Sequence, residues 1–139
     1  MTHLEFSCGC KFTVKDNNVD FRPDIAKIAL DCHITWDLIS SGNTKGCFQL
    51  ESRLGQSIAK KAKPRSIEDL AALVSIMRPG CMEAIVDGKS LTNHYIDRKH
   101  GREAVDYFHP SLEEILKETY GILVYQEQSM KIAQEIADF

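Results

Sequence analysis

Residues 120–130 read Tyr-Gly-Ile-Leu-Val-Tyr-Gln-Glu-Gln-Ser-Met, an apolar run that passes without a break into polar, helix-forming residues. The apolar run predicts a buried strand, and the polar residues after it predict a helix. Four side chains able to form hydrogen bonds stand where this strand would end: Tyr125, Gln126, Glu127 and Gln128. Because such ends are usual places to present groups to a ligand, we expect these residues to bound or support a site.

The clearest helix upstream of this junction begins at Ser66. Its hydroxyl is placed to cap the next turn while Asp69 reaches back, the spacing of a capping box, and apolar residues follow at helical intervals up to Pro79. Further elements are expected in six places: helices from residue 31, over 51–62, partly over 82–99, from 110 and over 125–138, and a short strand over 46–50.

The first 22 residues have a looser, alternating pattern, which predicts a hairpin with a turn at residues 16–18. No interior linker stands out after them. The sequence therefore predicts a mainly α chain with a few short strands, an α+β class, divided into an amino-terminal appendage over 1–22 and one folded segment over 23–139.

Length and composition indicate the class of protein. A chain of 139 residues with 43% apolar content is enough for one modest domain or for a piece of something larger. The longest apolar run is too short to span a bilayer, and the first residues lack the layout of a signal peptide. We therefore expect a cytoplasmic protein that makes no membrane contact.

The five cysteines favour reduced thiols, because they are odd in number and irregularly spaced. Cys8 and Cys10, with His3, Cys32 and His33 as further donors, form a weak match to a zinc site, since tetrahedral sites usually pair ligands as Cys-x-x-Cys. Two half-buried thiols on a hairpin are the alternative, and we expect no metal here.

Charge is unevenly distributed along the chain. Residues 1–44 carry 4 basic and 6 acidic side chains, residues 45–102 carry 11 and 6, and residues 103–139 carry 2 and 8. A basic centre suits contact with phosphate, although an excess of this size is also common on solvated surfaces.

Four blocks of sequence resemble, in order, those of the bacterial replicative DNA polymerases of family C. They are Phe-Gln-Leu-Glu-Ser at 48–52, Ile67 to Gly80 ending in Arg-Pro-Gly, Tyr-Ile-Asp-Arg-Lys-His-Gly-Arg-Glu-Ala at 95–104, and His109 to Met130. The chain departs from the family at Cys81, where a second proline is expected, and at Arg53-Leu54-Gly55. These departures also fit a relative encoded by a virus.

The resemblance implies a segment from the end of the palm and the start of the fingers of a DNA-directed DNA polymerase, a nucleotidyltransferase of DNA replication. That chemistry uses Mg²⁺ ions to clamp the attacking and leaving oxygens, and the family holds them with three palm aspartates. None of the three can be placed in this chain, because Asp16, Asp20 and Asp24 lack the family context. We therefore expect a split or truncated polymerase part that is inactive and binds no Mg²⁺ alone.

The remaining residues suit substrate positioning. Arg78, Arg98, Lys99 and Arg102 are candidates for contact with DNA or nucleotide phosphates. A structural ion pair of Arg78 with Glu68, Asp69 or Glu127 and a solvated helix end for the others are the alternatives. We expect six residues to support the site: Gln49, Glu51, Tyr125, Gln126, Glu127 and Gln128.

The partners implied by the resemblance are DNA, deoxynucleoside triphosphates in the complete enzyme, and polymerase polypeptides that carry the palm aspartates and the remaining fingers. A second hypothesis is a noncatalytic, polymerase-derived module that binds DNA or a polymerase partner. A third is a small zinc-binding adaptor built on the amino-terminal cysteines.

Overall fold

Helices make up most of the computed structural model, which describes residues 30–137, residue 26 and the backbone of two short strands at 2–5 and 11–14. The few strands that accompany the helices are two to four residues long. This composition confirms the predicted mainly α class with short strands.

The two amino-terminal strands pair with each other. Strand β1, Thr2–Glu5, runs antiparallel to β2, Lys11–Val14, with Glu5 opposite Lys11. The turn predicted at residues 16–18 lies outside the described part of the chain. Five residues considered above lie outside the described part of the chain: Cys8, Cys10, Asp16, Asp20 and Asp24.

Helices α1, His33–Ser41, and α2, Arg53–Ala62, pack against each other, and a compact loop joins them. The loop is closed by the buried Thr44 hydroxyl, which donates to the Leu50 carbonyl at 2.6 Å. The strand predicted over 46–50 is therefore wrong. These residues form successive turns, because their amides bond to carbonyls three residues back rather than to a neighbouring strand.

The capped helix predicted from Ser66 is present as α3, Ile67–Ile76. The Ser66 hydroxyl accepts from the Asp69 amide at 3.1 Å, as the capping box requires. The Asp69 carboxylate reaches back one residue farther than expected and accepts from the Arg65 amide at 3.0 Å. After a short break, a second helix, α4, Pro79–Glu83, begins with proline at its first position.

A tight hairpin interrupts the stretch 82–99, which the sequence predicts to be helical only in part, with a possible break at Asp87-Gly88. Strands β3, Ile85–Val86, and β4, Lys89–Ser90, are joined by Asp87 and Gly88, whose φ angles are 48° and 76°. Positive φ at both central residues is typical of a two-residue hairpin turn. Helix α5, Leu91–Lys99, follows directly.

The carboxyl-terminal third is built from short helical pieces. A 3-10 turn at Pro110–Leu112 leads into α6, Glu113–Leu116, and a second 3-10 turn at Lys117–Thr119. The last described helix is α7, Gln126–Ala137. Two of its large apolar side chains, Met130 and Ile136, are 58% and 49% exposed.

One hydrophobic core joins the central elements. It draws on α2, α3, α4, α5 and the extended segment before α7, through twelve residues: Leu50, Ile58, Ala59, Ala62, Ala72, Leu73, Ile76, Cys81, Tyr95, Ile96, Ile122 and Val124. In the segment predicted to be a buried strand, Ile122 and Val124 are buried as expected, whereas Leu123 between them is 44% exposed. Within the described residues, no helix is long and apolar enough to cross a membrane.

Candidate functional site

Among the described residues, the segment 120–125 has no strand partner, and side chains from three other places in the chain bind its backbone instead. Arg98 of α5 donates to the Tyr120 carbonyl at 3.0 Å, and Arg78 donates to the Val124 carbonyl. The Thr119 hydroxyl donates to the Ile122 carbonyl at 2.6 Å. These bonds fix an irregular segment in the core without a sheet, so the strand predicted here is wrong although the burial of Ile122 and Val124 is right.

Gly121 lets this segment approach the chain at Asp106. Its φ is 77°, and a Cβ added at Gly121 would lie 2.3 Å from the Asp106 carbonyl oxygen. Arg98 also donates to that carbonyl, at 3.2 Å. Because Gly121 has no side chain, the backbone at Tyr120 and the backbone at Asp106 come close together, and the guanidinium of Arg98 donates to both carbonyls.

Gln128 joins the segment to helix α7. Its side-chain oxygen accepts from the amides of Val124 and Tyr125, both at 2.9 Å, and its amide nitrogen donates to the Thr119 hydroxyl at 2.8 Å and the Ile115 carbonyl at 3.3 Å. The residue is buried. All four bonds are internal to the protein, so Gln128 supports the junction by capping α7.

The three residues before Gln128 are more accessible. Tyr125 packs against the core, and burial, followed by the nearby carboxylates of Glu118, Asp69 and Glu68, raises the pKa of its phenol. Gln126 and Glu127 are exposed in the first turn of α7. The junction therefore presents two polar side chains to solvent on a backbone that Gln128 fixes.

Gln49 and Glu51 lie in the loop that precedes α2, and both are exposed. Gln49 has a φ of 66°, and its carbonyl oxygen would lie 2.7 Å from a Cβ added at Gly55. The Glu51 carbonyl accepts from the Gln56 side chain at 3.0 Å. These contacts hold the backbone of the loop and leave both side chains accessible.

The predicted basic cluster at the end of α5 is largely neutralised within the fold. Arg98 has a side chain 8% exposed and bonds to Glu103 at 2.7 Å. Lys99 pairs with Asp69 of α3 at 3.0 Å, and Arg102 pairs with Asp97 at 2.8 Å. Two of these side chains thus connect elements of the core, whereas Arg102 remains 56% exposed.

Glu103 is the centre of this charge network. It accepts from Lys89 at 2.9 Å, from Arg98, and from His94 at 2.7 Å. Partial burial alone would raise the pKa of Glu103, but these hydrogen bonds outweigh it and lower the pKa to about 2. The carboxylate therefore remains charged across the physiological range.

His94 and Lys89 extend the network to the β3–β4 hairpin. The buried His94 ring contacts Glu103 through Nδ1 and the Val86 carbonyl through Nε2 at 2.8 Å. Since both partners only accept, the two bonds form together when each ring nitrogen carries a proton. Lys89 also bonds to Asp97 at 2.6 Å, which raises the pKa of Lys89 and lowers that of Asp97.

Sequence reasoning missed Thr119, Glu103 and His94 as organising residues. A signal existed for Gln128, because a glutamine at the third helical position commonly bonds back to the cap amide. The partners of Glu103 and Arg98 are brought together by the tertiary fold, since Tyr120 is 22 residues from Arg98. Local sequence patterns do not predict a contact between residues this far apart in the chain.

Several acidic side chains of the described residues are paired with cations. In the part of the chain that the structure describes, no group of three or more His, Cys, Asp or Glu side chains could hold a metal ion. The carboxylates nearest the basic cluster, Glu103, Asp97 and Asp69, are occupied by cationic partners. The described residues thus do not fit the Mg²⁺ site that the family resemblance implies for the whole enzyme.

Comparison with known proteins identifies the family. Residues 9–139 match the family described as bacterial DNA polymerase III alpha subunit finger domain. "DNA polymerase III subunit alpha" of Staphylococcus aureus strain Mu50 is 47% identical over 116 residues, 84% of this chain and 10% of that protein. The protein of the same name from Caulobacter vibrioides is 45% identical over 119 residues, 86% of this chain and 10% of that protein.

The chain spans about one tenth of the length of these relatives. The family match nevertheless covers almost all of the chain, including all four blocks quoted from the sequence. The resemblance drawn from those blocks is confirmed, and the chain belongs to the finger-domain family of the bacterial DNA polymerase III alpha subunit.

Proposed function

We propose that this chain forms part of a DNA-directed DNA polymerase and contributes a substrate-positioning surface. The observation that carries the proposal is the family match over residues 9–139. In the complete enzyme, carboxylates of other polymerase segments would hold Mg²⁺, which would supply charge stabilisation for nucleotide transfer. The partners are DNA, deoxynucleoside triphosphates and the polypeptide that supplies the palm aspartates and the remaining fingers.

The positioning surface has a physical basis in the junction. Gln126 and Glu127 project from a backbone whose polar groups are held by Arg78, Arg98 and Gln128. A rigid backbone lowers the cost of orienting a bound substrate, because less conformational entropy is lost on binding. In the proposed role, Gln126 and Glu127 bound a substrate.

The predicted phosphate contacts divide into two groups. The burial and ion pairs of Arg98 and Lys99 favour a structural role for these two. Arg78 and Arg102 are exposed, and Arg78 uses one terminal nitrogen for its bond to Val124. We propose that any contact of this set with DNA or a nucleotide is made by Arg78 and Arg102.

Co-purification from the native source tests the proposal. The chain, carrying an affinity tag, is captured and its bound polypeptides are identified by mass spectrometry. We expect a polypeptide that carries the palm aspartates and the remaining fingers sequence, because these complete a polymerase. Recovery of the chain with DNA alone would favour the noncatalytic module instead.

A further inference from the structure

The excess positive charge of the middle of the chain lies in residues 45–65. This stretch carries six basic side chains and one acidic side chain, whereas residues 66–102 carry five of each. In the second stretch, four of the five basic side chains form ion pairs: Lys89, Arg98, Lys99 and Arg102. The unbalanced charge is therefore near α2 and not at the cluster that the sequence singled out.

Most cations of the 45–65 stretch have no carboxylate partner. Arg65 pairs with Asp37. Within the described residues, the other five form no ion pair, and all five are exposed: Lys45, Arg53, Lys60, Lys61 and Lys63. Five exposed, unpaired cations and a single carboxylate, Glu51, make this the most basic stretch of the described surface.

Helix α2 arranges part of this charge on one face. Its buried residues are Gly55, Ile58, Ala59 and Ala62, which leaves the opposite face to solvent. Arg53, Ser57 and Lys60 follow one another at helical spacing, with Lys61 beside them. Lys60 lies at the edge of the outer face, where its exposed side chain packs along Gly42 at the end of α1. Arg53 and Lys60 are about 10 Å apart along the axis at 1.5 Å per residue.

This arrangement suits contact with a polyanion. Lysine and arginine side chains bind nucleic acids by neutralising phosphates of the backbone. Ser57 lies between the cations and adds a hydroxyl donor of the kind that bonds to phosphate oxygens. Helix α2 contains no acidic residue that would repel phosphates.

We infer that the outer face of α2, defined here as Arg53, Ser57, Lys60 and Lys61, binds the phosphate backbone of DNA. The inference rests on the proposed polymerase function, which supplies DNA as the polyanion. The face binds without reading sequence, because lysine and arginine contacts to phosphates carry no base information. The alternative is a structural role in which Lys60 and Lys61 only stabilise the carboxyl end of their own helix.

Fluorescence anisotropy with a labelled single-stranded DNA oligonucleotide tests the inference. The 139-residue chain is compared with a K60Q/K61Q variant over a range of salt concentrations. We expect the variant to bind about tenfold more weakly at low salt, and the slope of log affinity against log salt to fall by about 1 for each lysine. K60R/K61R should restore both values.

A K117Q/K131Q variant is the matched control, because it removes the same charge from two exposed lysines outside α2. It should bind as the unchanged chain does. A polyglutamate peptide of equal charge should compete poorly with the oligonucleotide. Equal binding by the peptide would overturn the inference in favour of an acidic protein surface.

The failure of this inference is distinguishable from failure of the proposed function. If the unchanged chain binds DNA and K60Q/K61Q binds equally well, the α2 face is not the contact, although the polymerase role stands. A chain that does not bind the oligonucleotide at low salt also overturns the inference. Co-purification decides the polymerase role independently of both results.

Discussion

The carboxamide of Gln128 supplies hydrogen bonds that a neighbouring strand would otherwise supply to the segment before α7. Its oxygen satisfies two amides and its nitrogen satisfies the Thr119 hydroxyl and the Ile115 carbonyl. A buried amide without a partner costs about 1–3 kcal/mol. The stability of the junction is therefore sensitive to the chemistry of this side chain and less to its volume.

Replacement of Gln128 by leucine keeps the size of the side chain but removes all four hydrogen bonds. We expect the free energy of unfolding to fall by about 3 kcal/mol, because two buried amides lose their acceptor. Urea denaturation measures the change. The same substitution at Gln134, an exposed residue of α7, should change stability by less than about 0.5 kcal/mol.

Glu103 predicts a specific acid sensitivity. Its pKa is lowered from 4.5 to about 2, so its stabilising effect is present above about pH 4.5 and is lost as the pH falls towards 2. The Glu103→Gln variant should be less stable than the unchanged chain at pH 7. This difference should shrink steadily between pH 4.5 and pH 2, as measured by thermal denaturation.

An exposed carboxylate provides the comparison for Glu103. Glu135→Gln removes a charge from the solvent side of α7. Its stability relative to the unchanged chain should stay nearly constant over the same pH range. A constant difference for Glu103→Gln as well would show that the hydrogen bonds to Lys89, Arg98 and His94 do not hold the carboxylate in its charged form.

At the scale of elements, Gly55 lies inside helix α2 although glycine has a low helix propensity, and its close surroundings explain why. Glycine weakens a helix, yet a Cβ at position 55 would lie 2.7 Å from the Gln49 carbonyl oxygen and 2.9 Å from the Leu50 Cα. Both contacts are with backbone, which cannot rotate away. The absence of a side chain lets α2 pack against the 44–50 loop.

Gly55→Ala should therefore destabilise the protein by about 2 kcal/mol, although alanine is the better helix former. Gly80 is the matched control, since it also lies in a helix and a Cβ there would meet nothing within 4 Å. Gly80→Ala should leave stability unchanged or raise it by about 0.5–1 kcal/mol. Equal effects at both positions in urea denaturation would contradict the close approach at Gly55.

Local chemistry explains which elements the sequence could predict. The Ser66 cap depends on residues within one helical turn, and it is present. The strands predicted over 46–50 and 120–125 are absent, because a buried apolar run does not specify a neighbouring strand. The Arg78 bond that replaces such a neighbour at Val124 spans 46 residues, beyond the reach of any local pattern.

For the candidate site as well, the sequence predicted local features but not contacts between distant residues. The sequence placed Gln126 and Glu127 at the exposed end of a buried segment, and the structure has them there. The sequence did not show which cations form ion pairs within the fold and which remain free to bind a ligand. Charge along the chain does not reveal ion pairs formed in the fold. Lys99 and Asp69 are 30 positions apart and pair across α3 and α5.

At the scale of the whole molecule, the chain is one tenth as long as the relatives it matches. Several large apolar side chains are exposed, among them Phe48 at 86%, Phe108 at 74% and Met130 at 58%. The proposed polymerase role predicts that segments of the remaining enzyme cover some of these side chains.

The most direct test of that role is primer extension by a chimeric polymerase. The region of the Staphylococcus aureus DNA polymerase III alpha subunit that aligns with this chain is replaced by the chain's own sequence. If the chain forms a working part of the fingers, the chimera should extend a primer within about tenfold of the parent rate, a barrier difference of about 1.4 kcal/mol. A folded chimera that binds primed DNA but extends it no faster than a polymerase lacking the segment would contradict the proposed function.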